Sequence, residues 1–346
     1  MGFHGHRGRI QGDAVRRWAW FLIALASLLG CRPEIPERPE SCGITSEPVV
    51  IPTLQPGFAY ELLPGEITFA SVGDLYSFDA GSLERVPLFV TSAYETAPAW
   101  SPDGQSLAFS AAEEGPADIY VASFDPDVGW TQPYNLTESP NANELTPEWS
   151  PDGTALVYAS RRLNGWSLTM LELGYQDDGR PFRIRDRRLT FSQRFQGHPD
   201  WSPIEPKIAF TTEQGDRLGI LVTGEGESGP SPFPGLDRYA SAAYPAWSPD
   251  GRRLAFAGTG AGNWDIYVIH ADGTAQTQIT AHPAADWEPV WSPDGRWIAF
   301  SSTRDGVGNI FLVRDNGSEL VRLTRGSGFD HSPTWGPVNR FLKPDR

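Results

Sequence analysis

The sequence predicts an all-β fold: a six-bladed β-propeller of four-stranded blades, its ring closed by pairing of the N-terminal strands with the C-terminal strand. Three observations predict it. A Trp-centred motif recurs six times at spacings of 44 to 52 residues, strand-like runs follow the first five copies, and the chain opens with three strands of a unit but closes with a lone first strand. Composition agrees, since 36 Gly and 31 Pro in 346 residues make a turn-dense chain unlike a helical bundle.

Taking the elements in order, the motif Pro-x-Trp-Ser-Pro-Asp-Gly stands at 98–104, 147–153, 245–251 and 289–295, with weaker copies at Pro199–Pro203 and Pro333–Pro337. Its Trp residues are Trp100, Trp149, Trp201, Trp247, Trp291 and Trp335. Pro presets φ at the second position of a type I turn, Asp tolerates the bridge conformation, and Gly takes the left-handed position that closes the hairpin. After the turn comes an aliphatic residue and, two places on, an aromatic one: Leu107/Phe109, Leu156/Tyr158, Ile208/Phe210, Leu254/Phe256 and Ile298/Phe300. Ile67/Phe69 is the same pair ahead of the first Trp motif. A spacing of two puts both side chains on one face of a strand.

The third run is clearest as Asp118-Ile-Tyr-Val121, Asp265-Ile-Tyr-Val268 and Asn309-Ile-Phe-Leu312. The fourth ends in an apolar residue and Thr, as Val90-Thr91, Leu136-Thr137, Leu189-Thr190, Ile279-Thr280 and Leu323-Thr324. The fourth unit lacks this ending and has a Gly/Pro/Ser loop over 224–235 instead. Strands two to four of a unit at 67–91, completed by the strand around Trp335, make six blades and remove the exposed sheet edges of an open ring. The repeated Trp, placed before the turn and read as starting the innermost strand, is an inter-blade packing residue rather than part of a ligand-stacking ring.

Ahead of the repeats, Arg16-Arg17 precede a run of twelve residues, Trp18–Leu29, apolar at every position but Ser27, then Gly30-Cys31. Twelve residues make about 18 Å of helix, short of a hydrocarbon core of roughly 30 Å, so the pattern reads as a signal peptide over 1–30. Leu28-Leu29-Gly30-Cys31 resembles the bacterial lipobox, which implies cleavage before Cys31 and its lipidation. Arg32 in place of Asp implies an outer-membrane, periplasm-facing location in a cell with two membranes, and otherwise the outer face of the cytoplasmic membrane. Val15 is an alternative start. Residues 31–56 form a Pro-rich tether of up to about 75 Å, 57–340 the propeller and 341–346 a tail. With Cys31 lipidated, Cys42 has no intramolecular partner and no disulfide framework supports the fold.

The repeats resemble those of the C-terminal six-bladed propeller of TolB, over roughly residues 60–338. The resemblance implies the fold and an envelope protein or peptide segment as partner. TolB has a further N-terminal α/β domain that engages its energy-transducing partner, and Gly57–Glu66 is too short to encode one.

Few motifs carry chemistry. Beyond residue 31 there are 24 basic and 42 acidic residues, a balance that excludes nucleic acid as a partner. No Gly-x-Ser-x-Gly, His-Glu-x-x-His or P-loop occurs. Gly224–Gly229 matches a dinucleotide fingerprint only formally, and Asp125–Gly129 and Asp272-Gly273 read as turns rather than calcium loops.

Aligned on Trp, the position five residues earlier holds Glu95, Glu144, Gln196, Ala242, Asp286 and Asp330. Glu95, Glu144, Asp286 and Asp330 are read either as a partial acidic ring at one channel mouth, binding Ca²⁺ or a basic peptide end, or as caps of their own turns. The expected protein is a monomeric, lipid-anchored binding or scaffolding module without catalysis or a cofactor beyond that calcium ion. Its partner face is expected to include Arg161, Arg162, Trp166, Trp264 and Arg304. The rival is a metal-dependent polysaccharide lyase holding its metal through His198, His282 and His331.

Overall fold

The computed structural model describes residues 59–337, except 61–62, 81, 83, 90, 114, 126, 225–227, 261 and 326–327. The signal peptide, Cys31, the tether, Cys42 and the tail therefore lie outside the described residues, as do residues 225–227 of the glycine-rich 224–229 segment.

Six antiparallel sheets form the six blades. From the axis outward, the first blade is Asp330–Trp335, Ile67–Ser71, Asp74–Asp79 and Glu84–Pro87. The second is Tyr94–Trp100, Ser106–Ala112 and Asp118–Asp125, whose outer side pairs with two short pieces, Gly129–Trp130 and Tyr134–Asn135. Asn143–Trp149, Ala155–Arg162, Gly165–Tyr175 and Pro181–Arg188 make the third. The fourth comprises Gln196–Trp201, Lys207–Gln214, Arg217–Gly224 and Ser231–Pro232. Ala242–Trp247, Arg253–Gly258, Asp265–His270 and Thr277–Gln278 are the fifth; Asp286–Trp291, Trp297–Ser302, Asn309–Arg314 and Val321–Arg322 the sixth. The fourth blade is thus complete: two residues inside the Gly/Pro/Ser loop supply its outer strand, a length no repeat pattern reveals.

Closure follows the sequence reading. Asp330–Trp335 pairs with Ile67–Ser71, Ile67 facing Trp335, and Gly336 donates its N–H to Glu66 O at 2.7 Å. Gly65 (φ +92°) permits the approach, because a Cβ there would stand 2.2 Å from Gly336 O.

The motif turn forms as its residues require. Gly104 N–H bonds to Ser101 O, Ser101 Oγ donates to Asp103 Oδ1 at 2.6 Å, and Ser101 Oγ accepts Ser106 N–H. The same set recurs at Ser150/Asp152, Ser248/Asp250 and Ser292/Asp294. The aliphatic–aromatic pairs are fully buried between blades, and Phe69, Phe109, Tyr158, Phe210, Phe256 and Phe300 are among the largest fully buried side chains. Each motif Trp closes its innermost strand rather than starting it. The packing role holds: Trp149 Nε1 donates to Ala99 O and Trp291 Nε1 to Ala246 O, each in the preceding blade.

Candidate functional site

Each innermost strand contacts the next, so the six enclose the axis. None of the six is regular. Its register slips where Ala97, Thr146, His198, Tyr244, Glu288 and Ser332, each three residues before the Trp, take a left-handed backbone with φ between +49° and +56°. Such a conformation costs a non-glycine residue on the order of 1 kcal/mol. A bulge bends its strand and re-aims the side chain. Five of these residues are half-buried amid buried neighbours, and Tyr244 is buried. All six bulges lie on the strands that enclose the axis.

These side chains meet across blades. His198 N–H donates to Thr146 Oγ1 at 3.1 Å, and the His198 ring packs edge-on against Tyr244 with centroids 4.4 Å apart. Glu288 accepts from Ser301 Oγ, Ser332 N–H and Ser332 Oγ at 3.0, 2.6 and 3.1 Å. Burial pulls His198 down to about 4 although Glu288 opposes the shift. Burial, and then the Glu288 charge, raises the Tyr244 hydroxyl. The imidazole is therefore neutral at pH 7, and its Nδ1 is buried without a hydrogen-bond partner. Two residues further along the innermost strands of the third and fourth blades, Glu148 and Asp200 lie close enough for the Asp200 charge to act on Glu148. Burial, with mutual repulsion adding to it, raises Glu148, and burial pushes Asp200 up to about 7 even though Trp247 N–H donates to it.

The acids five residues before the Trp occupy different ground. Glu95, Glu144, Asp286 and Asp330 are at most 1% exposed, and each has partners in its own connection or blade. Thr91 Oγ1 donates to Glu95 at 2.5 Å, and the uncharged member of the column, Gln196, accepts from Thr190 in the same way at 2.6 Å. Thr137 and Ser139 lie against Glu144, and Ser71, Thr324 and Arg85 against Asp330; burial raises both carboxyls. Arg304 grips both oxygens of Asp286 at 2.9 and 2.8 Å. The Thr of the fourth element also accepts a third-strand N–H, as Thr137 does from Ile119, Thr190 from Leu168, Thr280 from Ile266 and Thr324 from Ile310. The donors around these acids are side chains: hydroxyls at Glu95 and a guanidinium at Asp286. Glu95 additionally borders a cavity of about 320 Å³ with Thr91, Phe109, Glu113 and Tyr120.

The expected partner face is corrected in part. Trp166 and Trp264 are buried, Trp166 against Phe195, and Arg304 is committed to Asp286 and to the rings of Phe300 and Phe311. Arg161 and Arg162 are exposed. Sequence cannot distinguish a loop Trp that folds inward from one that stays out.

Nor do the three histidines gather. His331 is buried near Glu288 and contacts Ser332, whereas His282 sits in a turn, its Nδ1 accepting Ala284 N–H. Among the described residues no three His, Cys, Asp or Glu side chains are grouped to hold a metal ion. Sequence reading missed Thr146, Glu148, Asp200, Tyr244, Glu288 and Ser332. The signal was available in the same alignment on Trp, in the columns three and one residues before it.

The sequence profile of the TolB β-propeller domain matches residues 74–231 and 192–343. The chain belongs to the TolB β-propeller domain family. Its fold is similar to that of TolB from Acinetobacter baumannii (TM-score 0.67, 17% identity, covering 79% of this chain and 67% of that one). It is also similar to a putative TolB from Agrobacterium tumefaciens (TM-score 0.58, 19% identity, 80% and 99% covered). Hydrazine synthase of Kuenenia stuttgartiensis shares the fold too (TM-score 0.62, 14% identity, 81% and 48% covered). At these identities the likeness is one of fold, and it spans proteins of different activity. No curated protein matches the sequence.

Proposed function

We propose that this TolB-family propeller is a protein-binding module of the cell envelope, held to the membrane by a lipid on Cys31, which takes a segment of a partner protein at its axial channel and does no chemistry of its own. One observation carries the reading. Every innermost strand carries a bulge at the same place, and the residue at it varies: Ala97 and Thr146 are small, His198 and Tyr244 aromatic, Glu288 charged and Ser332 polar. A concave site with a few polar groups among apolar walls suits a peptide better than a bare structural contact would require. Family membership supports a protein partner, and the run ending Leu-Leu-Gly-Cys31 supports the anchor.

The test fills the channel instead of dismantling it. Tyr244 shows that a left-handed position accepts a Tyr, so Ala97→Tyr should fold with the parent's melting temperature while losing the envelope proteins that the parent retains in affinity capture. An unchanged set of captured proteins from a folded Ala97→Tyr variant would exclude the channel as the site. Cys31→Ser should abolish fatty-acid labelling and move the protein to the soluble fraction; unchanged labelling would exclude the anchor.

A further inference from the structure

Among the six outermost strands, Pro181–Arg188 of the third blade stands apart. It is eight residues long, whereas the outer strand of the first blade has four and the others two. It pairs with Gly165–Tyr175 on one side, and among the described residues no strand lies on the other. Six of its eight residues are exposed, including Phe182 at 42% and Ile184 at 57%. Outer strands are normally kept short or interrupted by Pro, because an unpaired row of N–H and C=O groups is a template for another chain. Two other blades follow that rule with Pro87 and Pro232. The third does not: its proline stands at the strand's first position.

The charge of this edge is equally out of character. Residues 161–194 hold eight Arg against Glu172, Asp177, Asp178 and Asp186, in a chain of net charge −15. The register distributes the strand's four arginines over both faces. Arg183 and Arg188 lie opposite Leu173 and Thr169 on one face, and Arg185 and Arg187 opposite Glu172 and Met170 on the other. Existing contacts orient these forks without burying them. Arg185 holds Glu172 at 2.7 and 2.6 Å, Arg183 spans Asp186 and Thr137 O, and Arg188 lies over Phe191. Exposed pairs of this kind contribute little against water, so an incoming carboxylate can share the same forks.

We propose that Pro181–Arg188 is a docking edge, to which an acidic, extended segment of a partner protein adds as a fifth strand of the third blade. The backbone row supplies the hydrogen bonds, and Arg185 and Arg187, which share one face, select a strand bearing Asp or Glu at alternate positions. An anionic lipid surface would use the charges but leave the backbone row idle, which is why a protein strand is the better occupant. The one irregularity, a register shift at Ile184, leaves Arg185–Arg188 as the uninterrupted stretch for pairing. This edge is separate from the axial channel and does not depend on it.

The test measures binding of fluorescein-labelled peptides to the full chain. The probe is four Glu-Thr repeats; the control is four Glu-Pro repeats, equal in charge but unable to form a ladder. The Glu-Thr peptide should bind at least tenfold tighter than the control, weaken as salt is raised, and slow amide hydrogen exchange over Arg185–Arg188. In the R185Q/R187Q/R188Q variant, which spares the Arg183 bond to Thr137, binding should fall at least tenfold with the melting temperature unchanged. Equal binding of the two peptides, no loss in the variant, or no binding at millimolar peptide would overturn the proposal. So would phosphatidylglycerol vesicles being the only probe that distinguishes parent from variant.

Discussion

Replacing Asp200 by Asn and His198 by Gln should tilt the pH dependence of stability in opposite directions. Asp200 is raised from 3.8 to about 7 in the folded protein, chiefly by burial, and His198 is lowered from 6.5 to about 4, also by burial. Between these limits the folded chain keeps a proton on Asp200 that the unfolded chain has released. That contribution is complete below pH 3.8 and is lost as pH rises through 7, by roughly 1.4 kcal/mol per unit. Over most of the same interval the unfolded chain binds a proton on His198 that the folded chain refuses. Its contribution is complete above pH 6.5 and is lost as pH falls through 4, so the two slopes oppose one another.

Asp200→Asn removes the first slope and keeps an acceptor for Trp247 N–H. Its stability relative to the parent should therefore rise by roughly 3 kcal/mol from pH 4.5 to 6.5, and Glu148, freed of a neighbouring charge, acts in the same sense. His198→Gln removes the opposing slope, so its relative stability should fall by a similar amount. Urea unfolding at four pH values across this range reads both. A variant-minus-parent difference that stays constant with pH would refute the assignment of a protonated Asp200 and a neutral His198.

Three further outcomes are expected. Trp335→Ala empties the latch and should cost roughly 3–5 kcal/mol, and removal of 333–346 should open the ring; a truncated protein with the parent's melting temperature and protease resistance would contradict the closure. Changing Glu95, Glu144, Asp286 and Asp330 together to Gln or Asn should lower the melting temperature if they cap their turns, whereas loss of calcium or partner binding at unchanged stability, read by calorimetry, would establish the acidic mouth. Asp152→Ala removes the acceptor for Ser150 Oγ and Thr154 N–H and should cost roughly 1 kcal/mol. Those bonds hold the Asp152 carboxyl below its usual value, so the deficit should shrink as pH drops below about 4.

Why the acidic column was legible and the neighbouring one went unread has a physical explanation. A charged column attracts attention in an alignment, and the structure buries Glu144 and Asp330 beside Thr and Ser hydroxyls. The column three residues before the Trp holds Ala, Thr, His, Tyr, Glu and Ser, with no common chemistry to notice. Its importance comes from a backbone bulge that repeats while the side chain does not. Trp264 and Trp166 show the same limit, because side chains drawn as partner contacts became core once neighbouring blades closed over them.

By itself the sequence determined the repeat, the strand order within each blade, the number of blades and the latch. These rest on local periodicity, turn chemistry and a count of strands at the two ends, all of which lie along the chain. Only the tertiary structure decided where the innermost strands bulge, how Glu288 comes to face His198 and Tyr244, and which outer strand is left long and bare. Those outcomes depend on residues about forty-five positions apart being brought side by side, and on which of several hydrogen-bonding partners a buried polar group finds there. Neither is encoded in the spacing of any one repeat.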